Sequence, residues 1–184
     1  MSKHVATPTL AVNVRELLRH PGSHKHVLVR GPLPDLVTPV AAVPGDAPVT
    51  VDAEVESVVE GLLVSGTVRA RARLQCVRCL GDLTEELAVE VRELFALDPA
   101  AAEDEGYAVL AGESLPLDTL ARDALVLAFP AAPLCRPDCA GLCPECGADR
   151  NQVDCGHAGA ADDPRWAPLT GLRQRIEEDN DARP

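Results

Sequence analysis

The clearest pattern in the chain is a period-two alternation on either side of Glu60-Gly61. Before it, Val51, Ala53, Val55 and Val59 alternate with Asp52, Glu54, Glu56 and Glu60; after it, Val68, Ala70, Ala72 and Leu74 alternate with Arg69, Arg71 and Arg73. Successive side chains of a strand point to opposite faces, so the pattern predicts a β-hairpin over 49–60 and 62–75 with one buried face. Its turn brings Asp52 near Arg69 on the exposed face. Cys76 keeps the inward parity of Leu74. A third strand is expected from Leu83 to Phe95, with Leu83, Leu87, Val89, Val91 and Phe95 inward and Thr84, Glu86, Glu90 and Arg92 outward; Glu85 and Glu93 break the parity. The Cys76-x2-Cys79 pair then sits at the bend of a second hairpin, and the three strands form an antiparallel meander with arginines on its middle strand.

The period changes downstream. From Pro116 to Phe129, Leu117, Leu120, Ala121, Ala124, Leu125 and Ala128 recur at helical spacing opposite Asp118, Arg122 and Asp123, which predicts an amphipathic helix ended by Pro130 and Pro133. Elsewhere the signals are weaker. Leu10–Leu18 reads as an extended piece running into a short turn of helix, and Val27–Arg30 as a strand. The histidines His20, His24 and His26 fall in a HPGSHKH run that reads as solvated loop. Residues 31–48 read as a Pro- and Ala-rich surface loop, residues 98–106 as an acidic loop, and Tyr107–Leu110 as a further strand. A short final helix near Thr170–Glu177, a packed Trp166 and a disordered acidic end complete the reading.

The expected fold class is therefore α+β: an antiparallel β-meander packed with an amphipathic helix, plus a Cys-rich zinc-knuckle segment towards the C-terminus. The expected organisation is a core domain over 1–134 carrying the CxxC hairpin, a metal-binding segment over 135–160, and a helix with an acidic tail over 161–184. Aromatic residues make up only 2% of the 184 residues, so the core must be built from Val, Leu and Ala. Residues 1–80 carry nine Lys/Arg against seven Asp/Glu, while residues 81–184 carry eight against twenty-two, for a net charge of −12. Bulk electrostatics of this sign do not hold a protein on nucleic acid and suit a basic partner better. The opening residues lack a signal pattern and no apolar run approaches membrane-spanning length. The expectation is a cytoplasmic protein without a membrane partner, whose thiols stay reduced and are available to metal.

Seven cysteines and one histidine supply that chemistry. Cys135, Cys139, Cys143, Cys146, Cys155 and His157 lie within the run CRPDCAGLCPECGADRNQVDCGH, and Cys76 and Cys79 lie upstream. Eight soft donors are the number needed for two tetrahedral zinc sites. CPECG has the form of a zinc knuckle, in which backbone N–H groups turn towards the sulfurs and the glycine accepts a tight turn. Cys155 and His157 are near enough to complete it. Cys76, Cys79, Cys135 and Cys139 remain as a second set; other partitions are open, including one zinc with several spare thiols. Four protein donors per metal leave no position open for water, so such sites are structural. HExxH, deaminase, P-loop, GxGxxG and GxSxG patterns are all absent. The expectation is a protein that is not an enzyme and has no small-molecule substrate. The arginine stripe Arg69, Arg71, Arg73 and Arg78 is a candidate RNA or partner contact, with Asp52, Glu54, Glu86 and Glu90 as competing cross-strand partners.

The ordered set CVRCL, FPAAPLC, AGLCPECGADRN and C-x-H, with VNVRELLRHPGS before it and DPRWAPLTGLR after it, resembles the YceD family over nearly the whole chain. The resemblance implies a role in large-subunit ribosomal RNA accumulation. Family members often end the cluster with C-x-C where this chain has His157, an equally competent zinc ligand. Some lack the later knuckle while keeping donors near the positions of Cys76, Cys79, Cys135 and Cys139, which favours the partition into two sets. The expected function is thus a ribosome biogenesis factor with two structural zinc ions, partnered by large-subunit ribosomal RNA or a basic ribosomal protein. An acidic chaperone for such a protein, and a thiol-based redox or zinc sensor, are the alternatives.

Overall fold

In the computed structural model, residues 9–99, 107–110, 112–157, 169 and 172 are described. Residues 100–106 of the acidic loop, Trp166 and most of the final helix expected over 170–177 lie outside them. The chain divides into two compact units, the first of residues 1–77 and 81–135, the second of 78–80 and 136–184.

The first unit is built on the predicted meander. Strands β4 (Pro48–Ser57), β5 (Gly61–Gln75) and β6 (Asp82–Ala96) pair antiparallel in succession. The alternation fixes their register, because a slip by one residue would turn every valine to solvent. Val49, Val51, Ala53 and Val55 of β4 and Val64, Val68, Ala70, Ala72 and Leu74 of β5 are all buried, as are Leu87 and Phe95 of β6. Each large apolar side chain so buried contributes ~1.5–3 kcal/mol relative to exposure. Val59 is a correction: it keeps the inward parity on paper but lies in the turn, 92% exposed. Inside β5, Gly66 holds a place no side chain fits, since a Cβ there would come within 2.3 Å of the Asp52 carbonyl oxygen and 2.5 Å of the Ala53 Cα.

The sheet is larger than the meander. Strand β2 (His24–Pro32) pairs with β4, the two-residue β3 (Ala41–Ala42) with β5, and β7 (Ala108–Val109) runs parallel to β6. The solvated-loop reading of HPGSHKH therefore fails from His24 onwards. These histidines lie on strand β2, where His26 Nε2 is 2.8 Å from Asp52 Oδ1 and His24 Nε2 is 3.9 Å from Glu54 Oε1. The 31–48 segment also departs from a plain surface loop, because Leu33, Leu36, Ala41 and Val43 are buried. Its prolines masked a pattern that tertiary packing supplies.

Over the core face lie β1 (Ala11–Asn13), which pairs antiparallel with β8 (Ser114–Pro116), the short helix α1 (Arg15–Arg19) and the predicted amphipathic helix, α2 (Asp118–Ala128). Leu117, Leu120, Ala121 and Leu125 are buried at and along α2. The Asp118 carboxylate accepts the Thr9 N–H at 2.9 Å, the Thr9 hydroxyl at 2.8 Å and the Leu10 N–H at 3.1 Å. A negative charge at a helix N-terminus is favourable in itself. Arg122 donates to the carbonyls of Pro34 and Asp35 at 2.6 and 3.0 Å, fixing the irregular segment to the helix. The parity break at Glu93 is real: burial, and secondarily the Asp123 carboxylate of α2, raise its carboxyl above the ordinary value. No helix among the described residues is long and apolar enough to cross a membrane.

Candidate metal centre

Within the first unit, β5 delivers Cys76 to the buried side, as its parity requires, and the residue is fully buried. The chain then turns tightly: the Cys76 N–H donates to the Gly81 carbonyl at 2.9 Å, and the Val77 N–H to the Pro133 carbonyl at 2.9 Å. That second bond joins the end of β5 to the extended segment after α2 and so sets Cys135 beside Cys76. The proline-bounded exit from the helix makes this possible, since Pro130 and Pro133 cannot continue it.

Within the second unit the same joining is done by Arg78. Its carbonyl accepts the Leu142 N–H at 3.0 Å, and its guanidinium donates to the Cys139 carbonyl at 3.0 Å. Residues 78–80, which include Cys79, are thereby held against 139–142. Arg78, placed by sequence among candidate partner contacts, spends at least one donor on this internal bond. From Gly141 the chain forms a small hairpin with bonds from Arg150 N–H to the Gly141 carbonyl at 2.9 Å and from Cys143 N–H to the Ala148 carbonyl at 2.8 Å. CPECG is its tip.

The two CxxC turns share one backbone design. In each, the first cysteine's N–H donates to the carbonyl five residues on, Gly81 or Ala148. In each, the residue after the second cysteine is left-handed: Leu80 with φ 57° and Gly147 with φ 73°. A leucine in that conformation costs roughly 1–2 kcal/mol, which marks the turn around Cys76 as one held by its surroundings. The knuckle geometry of CVRCLG was hidden in the sequence because the expected glycine falls one position late.

All eight sequence-predicted donors gather in two groups of four. The donor atoms of Cys76, Cys79, Cys135 and Cys139 lie within 4.8 Å of one another, as do those of Cys143, Cys146, Cys155 and His157. Four thiolates around one zinc at about 2.3 Å sit roughly 3.8 Å apart, so both sets fit a tetrahedral ion after small adjustments. Cys76, Cys139 and Cys143 are buried, Cys79 and Cys155 half-buried, and Cys135, Cys146 and His157 exposed. The backbone N–H groups of Cys146 and Glu145 point at the Cys143 sulfur and lower its thiol to about 6. Donation of N–H to sulfur favours the thiolate, the form that binds metal. For Cys155 the His157 N–H acts in the same direction, but the neighbouring thiols of Cys143 and Cys146 together with burial raise it on balance. Sequence reasoning missed Asn151, whose side-chain amide donates to Cys139 Sγ at 3.4 Å.

The arginine stripe lies on the outer face of β5. Arg71 Nε is 2.7 Å from Glu86 Oε1 and Arg69 is 3.6 Å from Asp52 Oδ2. Asp52 and Arg69 are near each other as expected, but diagonally, because Asp52 pairs with Thr67 and Arg69 with Thr50. Arg71 and Arg73 line a shallow cleft of about 360 Å³ with Pro44, Asp46, Ala47 and Thr84. Arg30, Arg69 and Arg71 line another of about 370 Å³.

The family model described as "Large ribosomal RNA subunit accumulation protein YceD" matches residues 64–173, a span that holds both donor sets. The uncharacterized protein Rv2926c of Mycobacterium tuberculosis is 37% identical over 176 residues, covering 92% of this chain and 84% of that one. Mb2951c of Mycobacterium bovis gives the same figures, and ML1660 of Mycobacterium leprae is 33% identical over 177 residues, covering 92% and 80%. No solved structure matches. With its family model matched over more than half its length and these relatives along nearly all of it, the chain belongs to the YceD family.

Proposed function

We propose that this protein is a non-enzymatic factor supporting accumulation or assembly of large-subunit ribosomal RNA, with one structural zinc ion held by each four-donor cluster. The observation that carries the metal part is the gathering of all seven cysteines and His157 into two complete sets. Thiolate-rich, four-donor sites suit zinc and leave no open position for a reacting water. The family description supplies the link to ribosomal RNA.

Between RNA and a basic ribosomal protein as direct partner, the charge pattern favours the protein. The net charge is −12. Arg69 and Arg71 are answered by Asp52 and Glu86, and Arg78 bonds within its own unit. An acidic surface that shields a basic protein before it joins the RNA gives the same outcome for RNA accumulation as a direct contact. Affinity capture from cells, with nuclease treatment and stepped salt, separates the two. Retention of a basic ribosomal protein after nuclease supports the chaperone role; loss of all ribosomal material with the RNA supports direct contact. Capture of no ribosomal component sinks both.

A further inference from the structure

Asn151 stands at the junction of the two donor sets. Its Oδ1 accepts the Ala140 N–H at 2.8 Å and an Arg136 N–H at 2.8 Å. Its Nδ2 donates to Asp149 Oδ1 at 2.6 Å and to Cys139 Sγ at 3.4 Å. These neighbours fix the orientation of the amide, because the oxygen must face the donors and the nitrogen must face the carboxylate and the sulfur. Asp149 is itself held, accepting from the Asn151 N–H at 2.9 Å and from Gln152 at 2.9 Å. It also pairs with Leu142 across the stem of the hairpin whose tip is the CPECG knuckle. Closing the knuckle therefore aligns the stem, the stem sets Asp149 and Asn151, and Asn151 presents an N–H to the sulfur of Cys139.

We propose that Asn151 is a positioning residue through which the two donor sets are coupled: a metal ion in the Cys143, Cys146, Cys155 and His157 set raises the affinity of the set containing Cys139. The inference rests on the metal-binding reading above. A hydrogen bond to a metal-bound thiolate offsets part of its charge and fixes its direction, and loss of such outer partners lowers metal affinity about 10–100-fold. Coupling of this kind is reciprocal, so filling either set favours the other. An N–H donor to Cys139 is worth most when that sulfur is a thiolate, because a neutral thiol sulfur is only a weak acceptor.

Cobalt(II) titration of the full-length, reduced, metal-stripped protein tests this, read by the thiolate-to-cobalt absorption and the visible bands of tetrahedral cobalt. The wild type takes two equivalents. Asn151→Ala weakens one of them about 10–100-fold. Asn151→Asp keeps the acceptor oxygens for Ala140 and Arg136, removes the N–H, and weakens the same equivalent. Cys146→Ala, which disables the knuckle, lowers cobalt affinity of the remaining set when Asn151 is present and produces no further drop in Asn151→Ala. Wild-type affinity in both Asn151 variants overturns the proposal, as does an Asn151→Asp that titrates normally or a Cys146→Ala effect that is the same in both backgrounds. A wild type that takes up no cobalt overturns the metal reading itself, and this shows before any variant is made.

Discussion

The two donor sets are built from the same kind of CxxC turn, yet they stand in different surroundings. Cys143, Cys146, Cys155 and His157 come from 15 consecutive residues, and only Cys143 is buried. Cys76, Cys79, Cys135 and Cys139 come from two segments more than fifty residues apart, and Cys76 is fully buried at the end of a 15-residue strand. Loop length alone does little to separate them: chain-entropy estimates give about 3 kcal/mol for closing the shorter loop and about 4 for the longer. Burial and attachment decide the difference. The knuckle can form from its own hairpin, whereas the Cys76 set requires β5, the post-helix segment and the 139–142 turn to be in place. One set reports on a local turn and the other on the fold.

Removing Cys76 is the strongest way to break this comparison. Cys76→Ser leaves three thiol donors in that set and a hydroxyl in a fully buried place. Thermal or urea unfolding followed by circular dichroism is expected to show a loss of ~4 kcal/mol or more. An unchanged midpoint would mean that the Cys76 set contributes nothing to the fold.

Cys143→Ser is the matched change in the local set. It should abolish metal binding at the knuckle and lower the stability of the sheet only through the coupling, by about 1–3 kcal/mol for a roughly 10–100-fold weaker Cys76 set. A collapse as large as that of Cys76→Ser would erase the distinction between local and global sites. The shared backbone gives a finer test. Leu80 shows that a leucine is tolerated in the left-handed position, and a Cβ at Gly147 would meet nothing within 4 Å. Gly147→Leu should therefore cost about 1 kcal/mol from backbone strain alone, seen as roughly a fivefold loss of cobalt affinity at the knuckle. Complete loss of the site would show that the two turns are not equivalent.

The smallest effect lies away from both sets. Burial, with Asp123 as a lesser cause, raises the Glu93 carboxyl, so the folded state prefers its protonated form. Stability then falls as pH rises through the ordinary glutamate value, ~4.3, to the raised one, and stays lower above it. Glu93→Gln should remove that loss and stabilise the protein at neutral pH by less than ~1 kcal/mol, because the group is only partly buried. Equal stabilities of variant and wild type across pH 4–8 would show that the carboxyl is unstrained there.

Much of this arrangement was legible in the sequence, and the reason is periodicity. Alternation gave β4, β5 and β6, their faces, the inward Cys76 and the nearness of Asp52 to Arg69, since burial of one face fixes which residues point inward. The pairing itself, Asp52 with Thr67, came from the turn. Spacing also divided the eight donors correctly into the two groups that the fold brings together. What stayed hidden depended on tertiary context. His24 and His26 join a strand only because β4 offers an open edge, and Leu33, Leu36 and Val43 are buried because α2 and Arg122 hold a proline-broken segment in place. Arg78 looked like part of a surface stripe until its bond to the Cys139 carbonyl was seen. Asn151 entered only as the last residue of AGLCPECGADRN, with no role of its own, because an asparagine after a knuckle acquires its role from the sulfur it faces.

The most direct test of the central claim is zinc content per chain at saturating metal, measured by elemental analysis on the wild type, Cys76→Ser and Cys143→Ser purified under reducing conditions. Two closed sets predict about two zinc ions in the wild type and about one in each variant. A wild type with no zinc, or a single substitution that removes both ions at saturation, would contradict it.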